Sequence, residues 1–151
     1  MNQLIRSALV LAGAAGLAAA RAPAPADSWT VVVSGGPYAG TYQEKADRLL
    51  CFYAKDNDTY GASFNDERAN TPRSLAQGGI MVDKPYVAGA KVGDLHVAFG
   101  TDAKTSISYD VYAVPVTFTL KGKGADLSGV AKTKEGVTLH ITASCERTDK
   151  V

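Results

Sequence analysis

The segment Val137–Cys145 (VTLHITASC) alternates apolar and polar residues from its first position to its last. Successive side chains of a β-strand point to opposite faces, so an alternation with period two is typical of a strand with one buried face. The odd-numbered residues of the segment share the apolar face, and the even-numbered ones, among them His140, share the polar face. The segment therefore predicts a half-buried strand in which Cys145 points into the core.

The same alternation recurs along most of the chain, and no segment after residue 26 has a sustained apolar period of 3.6 residues. β-Branched and aromatic residues dominate the candidate strands, and Gly, Asn and Asp are frequent between them. The predicted strands are Trp29–Ser34, Leu49–Ala54, Tyr60–Phe64, Ser74–Val82, Asp94–Gly100, Ile107–Leu120, Leu127–Lys132 and Val137–Cys145. About eight strands in a chain of this length favour an all-β fold, an antiparallel β-sandwich or, as the alternative, a small antiparallel β-barrel.

Three segments depart from simple alternation. The apolar positions change parity beside Pro115, which predicts a bulge or an edge position because proline cannot donate to the strand ladder. Gly78 and Gly79 interrupt Ser74–Val82 and predict a bent strand or a hairpin there. Tyr42–Leu50 (YQEKADRLL) has some helical character and predicts a single turn before the next strand.

The start of the chain has the three parts of a secretory signal peptide. A short basic beginning is followed by Ser7–Ala20, an uncharged apolar run of the usual length. Small residues then offer cleavage after Ala20 or after Ala26, and the second is preferred because the intervening RAPAPA has no use in a core. The chain is thus expected to be a signal peptide, residues 1–26, followed by a single β domain, residues 27–151.

The short apolar run and the net charge argue against a membrane-inserted protein and against a protein that binds nucleic acid. The apolar run is too short to span a bilayer, which takes roughly 20 apolar residues, and no cysteine follows it for lipid attachment. The cleaved protein is therefore expected in the periplasm or secreted, without stable insertion in a membrane. Loss of Arg6 and Arg21 would leave 14 of the 16 basic residues against 15 acidic ones. Such a near-neutral domain has no electrostatic attraction to nucleic acid.

Cys51 and Cys145 are the only cysteines of the chain. In an exported protein, an even pair without metal-ligand spacing is most simply a disulfide. The buried parity of Cys145 supports the pairing independently, because a bridge to the strand that holds Cys51 would then cross or border the core. A Cys51–Cys145 disulfide is therefore predicted.

The other residues with chemical potential are few. His96 and His140, the only histidines, fall at outward positions of alternating strands, which predicts solvent-facing side chains rather than a catalytic triad or a copper site. The acidic stretch Asp56–Glu67 (DNDTYGASFNDE) matches a calcium-binding loop only in part, because Tyr60 stands where a ligand oxygen is needed and the flanks are predicted strands. A looser calcium site remains open, with ligands from Asp56, Asp58, Asp66 and Glu67.

No catalytic constellation, cofactor motif or complete metal site stands out in the sequence. The expected function is non-enzymatic: an exported module of the cell envelope that binds a protein or carbohydrate partner or has a structural role. The seven tyrosines and Trp29 are side chains from which a carbohydrate-stacking surface or a partner patch could be built. The alternative is a small β-barrel that carries an apolar ligand, which requires a closed apolar cavity.

Overall fold

The computed structural model describes residues 27–45, 48–66, 74–100 and 107–150. The predicted signal peptide lies outside these residues. The described chain forms ten strands and no α-helix. The strands are β1 (Ser28–Ser34), β2 (Gly40–Lys45), β3 (Leu50–Ala54), β4 (Thr59–Asn65), β5 (Leu75–Asp83), β6 (Val92–Phe99), β7 (Ile107–Lys121), β8 (Gly124–Lys132), β9 (Thr138–Cys145) and β10 (Asp149–Lys150). Within the described ranges there is no helix long and apolar enough to cross a membrane.

The strands form one curled sheet in the order β10-β3-β4-β5-β6-β7-β8-β9-β1-β2. Neighbouring strands are antiparallel, except that the short β10 runs parallel to β3. From β3 to β9 each strand pairs with its neighbours in the chain, so sequence-local antiparallel pairing builds most of the sheet. β1 then adds to the outer side of β9, and β2 adds to β1. The predicted all-β antiparallel fold is confirmed.

Strand β7 passes from one half of the sheet to the other. Up to Pro115 it pairs with β6, and from Val116 onward it pairs with β8. Just before this change Ala113 has a φ of +56°, and its N–H donates to Asp94 Oδ1 at 2.9 Å. The register between β6 and β7 shifts at the same place. The bulge predicted beside Pro115 is therefore confirmed, and it lies where the sheet turns.

The curl brings two halves of the sheet together around one hydrophobic core. The first half comprises β10, β3–β6 and the first part of β7, and the second half comprises the remaining strands. Trp29 of β1 packs edge-on against Phe64 of β4, with ring centroids 4.8 Å apart. Gly129 of β8 lies so close to Leu95 of β6 that a Cβ on the glycine would be 2.8 Å from the leucine side chain. Contacts across the core, and not strand pairing alone, therefore maintain the curl.

The structure shows the conformation of two segments whose local sequence pattern is ambiguous. Within Tyr42–Leu50, where a single helical turn is predicted before the next strand, Arg48 is 3₁₀-helical and residues 46 and 47 lie outside the described residues. The turn does not begin at Tyr42, because residues 40–45 form β2. There Tyr42 Oη donates to Tyr38 O at 2.9 Å and the Tyr42 ring packs on Phe99, so tertiary contacts outweigh a weak local propensity. Of the two alternatives predicted at Gly78 and Gly79, the hairpin is wrong, because β5 passes through both residues as one strand. Its pairing with β6 shifts register between Leu75 and Gln77.

The segment that follows β9 fastens the two halves to each other. Cys145, the last residue of β9, is joined to Cys51 of β3 by a disulfide, with Cα atoms 6.0 Å apart. Thr148 donates its N–H to Lys123 O at 3.2 Å, and its hydroxyl lies 2.6 Å from Tyr60 Oη. The structure thus joins the two cysteines that were predicted to pair, at the point where the chain crosses from one half of the sheet to the other. A disulfide is the bond expected of a protein that folds in an oxidising compartment.

Candidate functional site

A cleft of about 550 Å³ opens between the two halves at the end of the sheet where this crossing occurs. Its size lies within the range of sites for small ligands, roughly 300–1,000 Å³. We call it the end cleft; its lining residues are Tyr53, Tyr86, Leu120, the turn Gly122–Gly124, Arg147 and Thr148. They come from β3, the β5–β6 connection, the β7–β8 hairpin and the segment after β9, so only the curled sheet assembles them.

A tight turn presents Tyr86 at the edge of the end cleft. The N–H of Val87 donates to Lys84 O at 3.1 Å, which closes a turn with Pro85 and Tyr86 as its central residues. Proline is favoured at the first central position because its ring presets the required φ. The N–H of Lys84 donates to Asp58 O at 2.6 Å and ties the turn to the β3–β4 connection. These two hydrogen bonds hold the backbone at Tyr86 in place, and the residue is 53% exposed.

A row of four aromatic rings leads from the core to this turn. The ring of buried Tyr60 meets Phe118 at 5.1 Å between centroids, Phe118 meets Tyr86 at 6.0 Å, and Tyr86 meets Tyr53 at 5.1 Å. Each of the three contacts is an edge-to-face arrangement, which favours the pair beyond the area it buries. Tyr86 thus contacts two other aromatic rings, and the residue is still 53% exposed.

The β7–β8 turn and the segment after β9 are bonded to each other in the end cleft. Gly122 has a φ of +62° at the first central position of the two-residue turn, where a type II′ hairpin requires a positive φ. Lys123 O accepts hydrogen bonds from both the N–H and the hydroxyl of Thr148, at 3.2 and 3.1 Å. Lys123 and Arg147 also form a parallel β-bridge. The two cationic residues are consequently neighbours on paired backbone segments.

Among the residues that line the end cleft, the charged ones are Lys123 and Arg147. Arg147 Nε lies 3.9 Å from Asp149 Oδ1, and because both side chains are exposed this pair is weak. Tyr53 Oη donates to Asp58 Oδ1 at 2.8 Å, and this hydrogen bond raises the pKa of Tyr53. Burial raises the pKa of Tyr60. Both phenols therefore stay neutral near pH 7, and the end cleft offers aromatic faces, hydroxyl groups and positive charge.

The structure places the two histidines outside the end cleft, on the outer faces of different halves. His96 Nδ1 lies 2.5 Å from Asp110 Oδ1 across β6 and β7. His140 Nε2 lies 3.4 Å from Ser128 Oγ across β9 and β8. Their predicted outward orientation is confirmed. A Ser-His-Asp arrangement needs the serine and the carboxylate on one imidazole, whereas here they accompany different histidines.

The acidic stretch 56–67 is divided by a strand. β4 occupies Thr59–Asn65, so Asp58 and Asp66 stand at its opposite ends, about 26 Å apart at the usual rise per strand residue. Asp58 accepts the hydrogen bond of Tyr53, and Asp66 pairs with Arg48. Glu67 lies outside the described residues. A calcium site that combines Asp58 with Asp66 is therefore excluded by distance.

Two grooves on the outer faces of the sheet are less suited to hold a charged ligand. One, of about 460 Å³, crosses the first half, and Arg48 in it pairs with Asp66. The other, of about 380 Å³, crosses the second half, where Lys121 Nζ donates to Asp126 at 3.1 Å and Ser144 Oγ donates to Asp126 at 2.6 Å. A ligand in either groove would have to compete with bonds the protein already makes.

The Asp126 cluster predicts an acid-dependent loss of stability. The hydroxyl of Ser144, followed by the ammonium of Lys121, lowers the pKa of Asp126 below its ordinary value of 3.8. The folded carboxylate thus binds protons less readily than the unfolded one, so its stabilisation is present above about pH 4 and is lost as pH falls through the lower folded pKa. The melting temperature of Asp126→Asn should lie below that of the wild type at pH 6, and the difference should disappear in strong acid.

Ser144→Ala is the matched variant for this measurement. It removes the first cause of the lowered pKa while it keeps the carboxylate, so its melting temperature should depend on acid pH less steeply than that of the wild type. A difference between wild type and Asp126→Asn that stays constant from about pH 6 to about pH 2 would contradict the assignment.

Sequence reasoning missed the end cleft, although some of its signals are local. Pro85-Tyr86 between two predicted strands marks an aromatic residue held in a turn, and the Lys121–Gly124 run (KGKG) marks a turn that carries lysines. Neither signal says that the two turns meet. The convergence of Tyr53, Tyr86 and Arg147 depends on the curl of the sheet.

No protein family, curated protein or solved structure compared with the chain matches it.

Proposed function

We propose that this protein is an exported, non-enzymatic binding module of the cell envelope and that its end cleft holds a carbohydrate. The observation that carries the proposal is Tyr86, an exposed residue that lines the cleft and whose ring is held by contacts with the rings of Phe118 and Tyr53. The face of an aromatic ring is electron-rich and attracts the C–H groups on the apolar side of a sugar ring. Because the ring is already held, little conformational entropy is lost when a ligand binds.

The composition of the end cleft supports binding rather than catalysis. General acid–base chemistry needs a group that exchanges protons near neutral pH, most often a histidine or a carboxyl group. The described lining has neither, and consists of two tyrosines, a leucine, a threonine, two glycines, a lysine and an arginine. Aromatic rings with hydroxyl and backbone polar groups are instead suited to orient a polyhydroxylated ligand.

Export and architecture enter the proposal as well. The Cys51–Cys145 disulfide supports a periplasmic or secreted location. Contacts between the inner faces of the two halves, such as Trp29 on Phe64, support a β-sandwich folded from one sheet. The alternative, an apolar ligand inside a barrel, gains no support from the interior, where large side chains including Tyr60, Phe99 and Ile80 are fully buried.

The test measures binding of neutral and acidic oligosaccharides to the full chain, produced in an oxidising compartment, by calorimetry. We expect the wild type to bind at least one of them and Tyr86→Ala to weaken that binding about tenfold or more, which corresponds to a loss of about 1.4 kcal/mol. Tyr112→Ala is the matched control, because Tyr112 is 70% exposed on β7 and does not line the end cleft. Equal affinity of wild type and Tyr86→Ala would overturn the placement of the site, and no binding to any probe would overturn the proposed function.

A further inference from the structure

We infer that the end cleft selects glycans that carry an anionic group, a carboxylate or a phosphate, and that Lys123 and Arg147 contact this group. The inference rests on the proposed function and names the chemical class of its ligand. It starts from the charge of the lining, where the two ionised residues are both positive. The sequence as a whole is close to neutral, with 16 basic and 15 acidic residues, so general basicity does not explain the pair.

The backbone places the two cations side by side. Lys123 and Arg147 face each other in a parallel β-bridge, and paired strands lie about 4.8 Å apart. Two hydrogen bonds from Thr148 to Lys123 O keep the segments together. Like charges at opposed positions repel each other. A bound anion would remove this repulsion, and its binding is therefore favoured.

The neighbouring Lys121, in the same hairpin, is a lysine whose charge is paired with a carboxylate of the protein. Its ammonium group donates to Asp126 at 3.1 Å and to Ser144 at 3.2 Å on the outer face. Lys123 has no such carboxylate partner among the described residues, and Arg147 has only the loose pair with Asp149. The positive charge in the end cleft is therefore free to pair with a ligand.

The side chains that line the end cleft are complementary to a sugar acid. A guanidinium group binds a carboxylate or a phosphate through two parallel hydrogen bonds, and a lysine adds a mobile point charge. Tyr86 is exposed by 53% and Leu120 by 59%, and these two side chains offer apolar surface to the sugar ring in the same cleft. The anionic group would thus lie at the β7–β8 turn while the ring packs against Tyr86.

Three probes test the charge preference: an oligogalacturonate, its fully methyl-esterified and therefore neutral form, and an oligosaccharide that ends in mannose 6-phosphate. We expect the full-length protein to bind an anionic probe about tenfold or more tightly than the neutral one. The stronger of the two anionic probes distinguishes a carboxylate from a phosphate. Raising the salt concentration from about 50 to about 500 mM should weaken only the anionic complexes, since salt screens exposed charges.

Two double variants locate the effect. Lys123→Gln with Arg147→Gln should reduce the affinity for the anionic probes to that for the neutral probe. Lys132→Gln with Lys134→Gln removes the same charge at the far end of β8, roughly 30 Å away at the usual rise of a strand, and should keep the preference. Both pairs leave the described core untouched, and equal melting temperatures would verify that the variants are folded.

The outcomes separate this inference from the proposed function. Equal affinity for charged and neutral probes, unchanged in the Lys123 and Arg147 variant, overturns the inference and leaves carbohydrate binding in place. A loss that is equal in both double variants also overturns it, because the effect would then follow the total charge and not the end cleft. Failure to bind any of the three probes counts against both proposals.

Discussion

Replacing both cysteines, Cys51→Ala with Cys145→Ala, should lower the free energy of unfolding by about 4–5 kcal/mol. The bond joins residues separated by 94 positions, so it restricts most of the described chain in the unfolded state. In the chain-entropy model, opening a loop of this length lowers the free energy of unfolding by that amount, which is comparable with the whole net stability of a small domain. Urea denaturation of the two proteins, followed by tryptophan fluorescence, measures the difference.

Reducing the disulfide of the wild type distinguishes the effect of losing the bond from the effect of losing the cysteine side chains. The reduced protein keeps both sulfur atoms, so its free energy of unfolding should fall almost as far as that of the double variant. The difference between the reduced wild type and the double variant then measures the effect of removing the two thiol groups. If the double variant melts at the temperature of the oxidised wild type, the disulfide does not have the stabilising role assigned to it.

Truncating the tryptophan in the core, Trp29→Ala, should cost about 3–5 kcal/mol, the usual range for removing a large buried ring. Trp29 is fully buried, packs against Phe64 with ring centroids 4.8 Å apart, and fills the space above Gly78. A Cβ on Gly78 would lie 2.6 Å from the indole ring, so the ring reaches the backbone of β5. The substitution therefore removes a contact between the two halves of the sheet and leaves a cavity. Circular dichroism during urea denaturation measures the loss.

Trp29→Phe provides the matched comparison. The indole Nε1 of Trp29 is buried without a hydrogen-bond partner among the described residues, and phenylalanine removes this unsatisfied donor while it keeps an aromatic ring. Its cost should therefore be clearly smaller than that of Trp29→Ala. Equal costs for the two variants would show that contact across the core is not what Trp29 contributes.

The strands that the sequence predicts well are those whose alternation is long. Val137–Cys145 is read as one half-buried strand, and the structure has β9 at Thr138–Cys145 with Cys145 buried. The parity change beside Pro115 likewise marks the place where β7 changes partners. In both cases the side-chain period is a property of neighbouring residues, so a single segment suffices to show it.

Short segments with weak periodicity are predicted less well. Tyr42–Leu50 has some helical character, but its first residues belong to β2, where the Tyr42 ring packs on Phe99 and the Tyr42 hydroxyl donates to Tyr38 O. Residues 40–45 (GTYQEK) lack a period-two apolar alternation, so their pairing with β1 across the Gly-Gly-Pro turn is seen only in the structure. Local propensity is a weak guide where tertiary contacts are strong.

The sequence by itself determined the β character of the chain, the inward orientation of Cys145 and the pairing expected of the two cysteines. Those features follow from side-chain alternation and from redox chemistry, both of which can be read from residue types. Only the tertiary structure decided that Tyr53, Tyr86, Lys123 and Arg147 meet in one cleft. They lie in separate segments, and they converge because β7 bends near Pro115 and because the segment after Cys145 crosses to β3. Such long-range geometry depends on how the sheet curls, which no single segment encodes.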